Sequence, residues 1–369
     1  MSTQLAGRGL LQRAVQRLDA LATPHGIDRY VELVVPTWSS TEVRGRVTRV
    51  AHPTADAVTL TIRPNGNWTG FRPGQHTQVS VEIDGVRHTR CYSMASSAVE
   101  AGAFELTVKA HPGGTVSRHL KDHAAPGLVV GLSPATGDFT LPAAVPDRLL
   151  LMSGGSGITP VMAMLRTLCE TGHTGEVVFV HYALTKADML YREELAALAA
   201  THENVRLVRI FTEAPGTGDL DGFLTTEQLE AIDPRWQTAE TYLCGPAPLM
   251  AGARRLFEAA GCDERLHTEA FTLTQVLAEA GATGGTVRFA ATGTDVADDG
   301  RPILLQAEDA GLSPASGCRM GICHTCTRSL TCGTVRNVVD GTTTTAPAET
   351  GVDIRVCISA PVGDVEIDL

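Results

Sequence analysis

Four cysteines near the carboxyl end of the chain constrain its fold more than any other feature. Cys318, Cys323 and Cys326 are separated by four and then two residues, and Cys357 follows 31 residues later. This is the spacing of plant-type [2Fe–2S] ligands, in which three thiolates come from one tight loop and the fourth from a distant segment. Glycines such as Gly321 let the backbone wrap closely, so that N–H groups face the sulfides. The sequence therefore predicts a [2Fe–2S] centre held by these four cysteines.

Two alternatives to the cluster are a zinc site and four unligated thiols. Zinc ribbons usually pair two Cys-x2-Cys knuckles, whereas this chain has one such pair, Cys323 and Cys326. His324 lies inside the loop, and we expect it to face solvent because four cysteines already complete the ligand shell. Cys332 falls outside the ligand spacing and is expected to be a small buried residue.

Length and composition indicate a multidomain globular protein. The chain has 369 residues, of which 43% are hydrophobic and 19% charged, so we expect two or three domains with apolar cores. A formal charge of −11 argues against a nucleic-acid partner, because such binding depends on clustered Lys and Arg. No apolar run approaches a membrane span, and the N-terminus lacks a secretory pattern. A cytoplasmic location is expected, where thiols stay reduced.

Changes in the hydrophobic period divide the chain into five segments. An apolar stripe flanked by arginines predicts an N-terminal amphipathic extension over residues 1–40. Short alternating runs between turns predict a small antiparallel β-barrel over residues 41–144. Strands alternating with helices predict a doubly wound α/β domain over residues 145–272. The small residues of 273–284 are typical of a linker, and 285–369 form the cysteine-containing domain.

The pattern Arg90-Cys91-Tyr92-Ser93 stands at the end of a predicted barrel strand. Arginine suits a pyrophosphate, tyrosine offers a flat face to a ring system, and a serine hydroxyl can meet a ring nitrogen. Alone, the pattern is equally compatible with a surface arginine beside a core tyrosine. Downstream, Gly113 to Ser117 opens a predicted helix whose free N–H groups would bind an anion. This context favours a bound cofactor.

Two glycine-containing turns mark the predicted α/β domain. Residues 151–160, LMSGGSGITP, lie between its first strand and first helix, where a phosphate can sit at the helix N-terminus. Cys244-Gly245 follows a later strand, at the edge where open α/β sheets bind ligands. Each turn alone is weak evidence, since glycine-rich turns and capping turns beside a buried cysteine also occur without ligands.

In this order the motifs resemble the ferredoxin–NADP reductase superfamily with a plant-type ferredoxin fused at the C-terminus, over residues 41–369. The resemblance implies an FAD-binding antiparallel β-barrel, a doubly wound α/β domain for NADPH or NADH, and a β-grasp-like α+β ferredoxin domain. With its N-terminal extension, the chain resembles in particular the actinobacterial reductases that serve acyl-CoA (stearoyl-CoA) desaturases.

The resemblance also implies roles for individual residues. It assigns Arg90 to the FAD pyrophosphate, Tyr92 to the isoalloxazine and ribityl region, and Ser93 to flavin N5. Further cofactor contacts that it implies are Gly114, Ser117, Gly155, Gly157, Thr159, Gly245 and Phe271. Ser93 and Cys244 match catalytic positions. His76 stands where relatives usually carry an aromatic residue, so the cofactor contact there stays open.

The function implied is that of an NAD(P)H-dependent flavin/iron–sulfur oxidoreductase. A nicotinamide gives up two electrons as hydride, a cluster accepts one, and a flavin can do both. The expected electron acceptor is a membrane-bound di-iron acyl-CoA or fatty-acid desaturase. Residues 8–21 are expected to pack onto the body of the protein, the alternative being weak peripheral contact at the inner face of the membrane. Alternatives are a soluble steroid or aromatic-ring oxygenase as acceptor, and a non-enzymatic ferredoxin-type carrier that has lost flavin.

Charged residues indicate which nucleotide and which kind of acceptor surface the protein binds. The strand VVFVHYA ends without the acidic residue that usually holds a free ribose 2′-hydroxyl, and Lys186 and Arg192 lie just beyond it. We therefore expect a modest preference for NADPH, unless Lys186 is solvated and Arg192 pairs on its own helix. Residues 285–369 carry eleven acidic and six basic side chains, which are expected to face a basic patch on the acceptor protein.

Overall fold

The chain forms two compact units in the computed structural model, which describes residues 27–99, 102–111, 113–270, 284–317, 319, 321, 324–338, 341–347 and 350–369. The first unit contains the described residues up to Gly222 together with Gln228–Tyr242. The second contains Phe223–Glu227 and the described residues from Leu243 to Leu369. The predicted amphipathic stripe at 8–21 and nearly all of the predicted linker lie outside the described residues.

The first unit contains a six-stranded antiparallel barrel, preceded by the short helix α1 (Ile27–Glu32). Its strands are β1 (Val43–Ala51), β2 (Ala57–Pro64), β3 (His76–Ile83), β4 (Val86–Ser93), β5 (Phe104–Lys109) and β6 (Val129–Leu132). Their order is β4-β3-β6-β1-β2-β5, and a bridge between Met94 and Leu106 joins the two ends of the sheet. Leu60 and Ile62 on β2 are fully buried, while Thr61 between them is only partly buried and points to the other face, as strand alternation requires. The predicted barrel is confirmed.

A parallel α/β sheet follows the barrel and its helix α2 (Thr115–His123). In chain order its elements are β7 (Arg148–Gly154), α3 (Ile158–Glu170), β8 (Glu176–Ala183), α4 (Arg192–Thr201), β9 (Val205–Phe211), β10 (Leu220–Asp221), α5 (Thr226–Ile232) and β11 (Glu240–Cys244). Strands β7, β8, β9 and β10 pair side by side in parallel. The predicted doubly wound domain is confirmed, with β10 and α5 as additions.

The second unit contains the end of β11, then α6 (Ala247–Ala259) and β12 (Leu266–Glu269), followed by an α+β module. The elements of that module are β13 (Thr286–Phe289), β14 (Thr294–Ala297), α7 (Ile303–Asp309), β15 (Thr327–Asn337), β16 (Thr343–Thr345), β17 (Val352–Arg355) and β18 (Ser359–Ile367). β13 pairs with β18 in parallel, whereas β15 pairs antiparallel with β16, β17 and β18. Ile303 and Leu304 of α7 share one buried core with Phe289 and Ile367. The predicted ferredoxin-type fold is confirmed.

The expectation that Cys332 is buried is wrong, because its side chain is exposed. Cys332 lies two residues after buried Leu330 on β15, a spacing that normally gives two side chains the same face. The β15–β18 register shifts on both sides of Cys332, and such irregularities interrupt the alternation. His324 is exposed as expected. No helix among the described residues is long and apolar enough to span a bilayer.

A buried histidine lies at the centre of the parallel sheet. His181 on β8 pairs in register with Ser153 on β7, and both residues are fully buried. The Ser153 hydroxyl lies 3.2 Å from the carbonyl oxygen of Val180 and 2.9 Å from Nδ1 of His181. Burial, helped by the charge of Lys109, lowers the pKa of His181 to about 3. The imidazole therefore stays neutral in the folded protein at physiological pH.

This shift predicts a pH-dependent stability. In the unfolded chain a histidine titrates with a pKa near 6.5. Below that pH the unfolded state therefore binds a proton that the buried imidazole of the folded state does not bind. The free energy of unfolding should fall by about 1.4 kcal/mol per pH unit between about pH 6 and pH 4 on account of this residue. Urea unfolding of the wild type and His181→Gln at pH 7, 6 and 5 measures the difference. The exposed His52→Gln is the control, and equal slopes for all three proteins would contradict the prediction.

Candidate cofactor sites

Strand β4 presents the predicted flavin residues at its carboxyl end. Arg90 and Tyr92 point to one face of the strand and Ser93 to the other, because successive side chains alternate. Burial raises the pKa of Tyr92, so its phenol stays protonated. Ser93 is 3% exposed, and its Oγ atom has no hydrogen-bond partner among the described residues. A buried hydroxyl without a partner is costly, and a flavin ring nitrogen would supply the missing hydrogen bond.

His76 is packed directly beside this serine. It pairs in register with Ser93 across β3 and β4 and is 3% exposed. Backbone hydrogen bonds of 3.0 and 2.9 Å join it to Thr136, and its Nε2 atom lies 3.3 Å from the Thr136 hydroxyl. A Cβ atom at Gly137 would come within 3.0 Å of its ring. His76 is therefore packed against Thr136 and Gly137, on the face of β3 opposite the core residue Val79, and its ring is not exposed.

The start of α2 forms the predicted phosphate turn. Gly114 is the N-cap residue of this nine-residue helix, and no side chain caps its N–H groups. The Oγ atom of Ser117 accepts a hydrogen bond of 3.2 Å from the backbone N–H of His111. A Cβ atom at Gly114 would lie 2.3 Å from that oxygen, so a side chain there would displace Ser117. Uncapped N–H groups and the helix dipole suit the FAD phosphates.

The second phosphate turn connects β7 to α3. Residues Gly155–Gly157 form one turn of 3₁₀ helix, and no side chain caps α3 at Gly157. Gly155 has φ +55°, and the space where its Cβ would lie is open for 4 Å. The hydroxyl of Thr159 is directed inward and donates to the carbonyl oxygen of Ser156 at 3.2 Å. Thr159 thus shapes the turn, while the glycines leave room for a pyrophosphate.

The structure brings Lys186 and Arg192 together after β8. A guanidinium nitrogen of Arg192 donates to the carbonyl oxygen of Lys186 at 3.3 Å, and another lies 3.5 Å from Glu193. The acidic residue in this segment, Asp188, accepts hydrogen bonds from the backbone N–H and hydroxyl of Thr185 at 3.1 and 2.6 Å. Asp188 is therefore tied to the local turn through its Oδ2 atom. Lys186 is exposed and Arg192 pairs with Glu193 on its own helix, which is the arrangement of the alternative to a 2′-phosphate site.

Cys244 ends β11 and Gly245 follows it, both in the second unit. Cys244 is fully buried, and this burial, together with the nearby carboxylate of Glu269, raises the pKa of its thiol well above the ordinary range. The thiol is therefore neutral, which fits a packing role and not that of a nucleophile. Phe271, the remaining predicted contact of this group, lies outside the described residues.

Two of the four predicted cluster ligands belong to the described residues. Cys326 and Cys357 are 1% and 4% exposed. The backbone N–H of Val356 donates to the carbonyl oxygen of Cys326 at 3.3 Å, which sets the segments of both cysteines side by side. At Gly321, φ is +75° and a Cβ atom would lie 2.5 Å from Ile358, so only glycine fits. Cys318 and Cys323 lie outside the described residues, and this arrangement fits a cluster ligated by all four.

One group of contacts has no counterpart among the sequence motifs. Arg166 on α3 and Tyr191 before α4 both reach residues of the barrel. Neither residue belongs to a recognisable pattern, because an arginine on an amphipathic helix usually faces solvent. The left-handed backbone of Tyr191, φ +54°, is visible only in three dimensions.

Comparison with known proteins assigns three parts of the chain to known domain families. Residues 46–141 match the oxidoreductase FAD-binding domain family, 151–255 the oxidoreductase NAD-binding domain family, and 290–362 the 2Fe-2S iron–sulfur cluster binding domain family. An NADPH oxidoreductase of Mycobacterium tuberculosis is 39% identical over 354 residues, covering 95% of this chain and 90% of that protein. The glycine betaine monooxygenase reductase subunit of Pseudomonas aeruginosa is 35% identical over 81% of this chain and 87% of its own length.

A solved structure shows the same fold. Phthalate dioxygenase reductase superposes with a TM-score of 0.58 at 21% sequence identity, covering 88% of this chain and 97% of its own. Together, the three domain matches and the relatives that span nearly the whole chain establish the family. The chain belongs to the ferredoxin–NADP reductase family and is an NAD(P)H-dependent oxidoreductase with an FAD-binding barrel, an NAD-binding α/β domain and a C-terminal [2Fe–2S] domain.

Proposed function

We propose that this reductase takes hydride from NADPH and delivers electrons one at a time to a separate oxygenase component. The observation that carries the proposal is the [2Fe–2S] domain at the C-terminus, because direct hydride transfer to a small acceptor needs no one-electron carrier. The reductase subunit of glycine betaine monooxygenase, which aligns over most of this chain, supports an oxygenase as the acceptor.

The residues of the barrel would bind and orient FAD. When bound, FAD supplies the conversion between a two-electron hydride donor and one-electron acceptors. Arg90 would pair with the pyrophosphate, the protonated Tyr92 would lie against the flavin, and the Ser93 hydroxyl would hydrogen-bond to N5. Gly114 and Ser117 would leave the uncapped N–H groups of α2 open to phosphate oxygens. Ser93 tunes and positions the flavin, and no general acid or base is needed.

The remaining sites would hold the nucleotide and the cluster. Gly155 and Gly157 would admit the NADPH pyrophosphate to the N-terminus of α3, with Thr159 fixing the turn from inside. Cys244 and Gly245 would border the nicotinamide, with Phe271 close to the flavin. The four thiolates of Cys318, Cys323, Cys326 and Cys357 would ligate the two irons.

A membrane-bound lipid desaturase is the second candidate acceptor. Side chains just after α1 form an exposed apolar strip, with Leu33 79% and Val34 82% exposed, followed by the partly exposed Trp38. The predicted amphipathic stripe with arginines at 8–21 precedes this strip in the sequence. Apolar side chains beside basic residues favour contact with an anionic bilayer surface, where such a desaturase would be found.

Reconstituted turnover distinguishes the two acceptors. The reductase and NADPH are mixed with the oxygenase component of glycine betaine monooxygenase, and separately with a di-iron fatty-acid desaturase in phosphatidylglycerol vesicles. We expect the soluble oxygenase to form product at a rate at least about tenfold above that of the desaturase. The reason is that a relative of this reductase is the reductase subunit of glycine betaine monooxygenase. Cys323→Ser should abolish this turnover but keep reduction of ferricyanide, whereas the exposed Cys332→Ser should keep both. Product from the desaturase alone would contradict an oxygenase partner.

The charges after β8 predict a preference for NADPH. Arg192 and Lys186 can meet a ribose 2′-phosphate, because the Arg192–Glu193 pair is exposed and therefore weak, while Thr185 occupies the Oδ2 atom of Asp188. Arg192→Gln should lower kcat/KM for NADPH by about threefold to tenfold and leave NADH nearly unchanged. Arg209→Gln, which removes an exposed ion pair with Asp219 on the same sheet, is the control in steady-state assays. A higher kcat/KM for NADH in the wild type would overturn the preference.

A further inference from the structure

We propose that Arg166 is a positioning residue for hydride transfer, because it fixes the nucleotide-binding helix α3 against the flavin-binding end of the barrel. The inference rests on the proposed function, in which α3 holds the NADPH pyrophosphate and Ser93 contacts the flavin. In that reaction NADPH is oxidised to NADP⁺ as its hydride, carrying two electrons, passes to the flavin.

The guanidinium of Arg166 contacts three segments at once. One terminal nitrogen donates to the carbonyl oxygen of Ala95 at 2.7 Å and to Glu105 at 3.0 Å, both in the barrel. The other two nitrogens donate to Glu194 of α4 at 2.7 Å each. The side chain of Arg166 is 15% exposed, whereas those of Glu105 and Glu194 are 25% and 39% exposed, so these charge-assisted bonds are partly shielded from solvent.

The guanidinium of Arg166 stays protonated. Burial by itself would lower the pKa of Arg166, but the hydrogen bonds and charge of Glu194, with Glu105, raise the pKa above its ordinary value. The guanidinium also lies 5.1 Å from the centre of the Tyr191 ring, in cation–π geometry. Arg166 therefore remains a charged, planar connector at every physiological pH.

One end of this connection lies close to the flavin residues, and helix α3 joins the other end to the nucleotide turn. Ala95 is two residues beyond Ser93, at the carboxyl end of β4. Arg166 lies eight residues after Ile158, the first residue of α3, which is about 12 Å along a helix axis. The rigid helix thus links the phosphate turn at its start to the flavin strand near its end.

Tyr191 strengthens the same connection. It holds a left-handed backbone, φ +54°, which costs energy for a bulky residue and persists only where contacts determine it. Its hydroxyl is hydrogen-bonded to Thr107 on β5, and Thr107 in turn lies 2.7 Å from the hydroxyl of Thr59. The ring of Tyr191 therefore joins α4, β5 and the guanidinium of Arg166.

Hydride transfer depends steeply on such placement. Reacting atoms must approach to about 3–3.5 Å, and a misplacement of about 1 Å can cost 100-fold in rate. Loss of the contact between Arg166 and the barrel would leave each cofactor pocket intact. It would, however, loosen the orientation of α3 relative to the barrel, and with it the alignment of the two cofactors. The expected signature is a slower rate of flavin reduction with unchanged nucleotide affinity and FAD content.

The first test compares Arg166→Lys with Arg209→Lys. Anaerobic stopped-flow measures flavin reduction by NADPH, and fluorescence titration measures the Kd for NADP⁺. We expect Arg166→Lys to slow flavin reduction by about tenfold or more, while the Kd for NADP⁺ changes less than about twofold. A lysine ammonium cannot make the several hydrogen bonds that the planar guanidinium makes to the barrel and to α4. Arg209→Lys, an exposed pair with Asp219, should match the wild type. A rate for Arg166→Lys within about twofold of the wild type would overturn the inference.

A matched pair of carboxylate variants separates positioning from local stability. Glu105→Gln removes the charge on the barrel side, and Glu194→Gln removes the charge on the α4 side of the same guanidinium. The inference predicts that Glu105→Gln slows flavin reduction more and also raises hydrogen–deuterium exchange in residues 93–99. Equal slowing of flavin reduction by the two variants, or greater slowing by Glu194→Gln, would contradict the positioning role of Arg166. This pair of variants also tests that role if Arg166→Lys fails to fold. Absence of NADPH-driven reduction in the wild type would instead refute the proposed function, while the exchange measurement still tests Arg166.

Discussion

The requirement that a nicotinamide and a flavin meet at contact distance is the constraint on which this structure depends. The flavin residues belong to the barrel and the nucleotide turn belongs to the α/β sheet, so the chemistry needs both to be held in one orientation. Arg166 meets this requirement by binding Ala95 and Glu105 on one side and Glu194 on the other. Tyr191 adds a hydrogen bond to Thr107. In the first unit, polar contacts of Arg166 and Tyr191 therefore help to join the barrel to the α/β sheet.

The second unit serves a different physical need. A one-electron centre requires thiolates held in a compact, largely dry loop with backbone N–H groups turned toward it. Buried Cys326 and Cys357 lie on adjacent segments, and the left-handed Gly321 packs against Ile358 where no side chain fits. Buried residues of α7 and β13 form the core beneath these segments. The module thus provides a rigid support for the predicted cluster.

Much of the fold could be predicted from local pattern, and the rest depended on tertiary contacts. Alternation identified the barrel strands, and the LMSGGSGITP turn located the start of α3, although the helix begins at Ile158, within that segment. The two-residue strand β10 gave no periodic signal because it is too short. Cys332 was misjudged because a register shift breaks the alternation on β15. The role of Arg166 could not be predicted, since nothing in its neighbours in sequence indicates contact with Glu105, 61 residues away.

Cofactor content distinguishes a flavin/iron–sulfur reductase from the alternatives. Because one chain is expected to bind both a flavin and a [2Fe–2S] cluster, the purified protein should contain about one FAD, two irons and two acid-labile sulfides per chain. Its absorbance should combine an oxidised flavin with the cluster, and addition of NADPH under anaerobic conditions should bleach both. A protein with zinc in place of iron and sulfide, or one with the cluster but without flavin, would contradict the account.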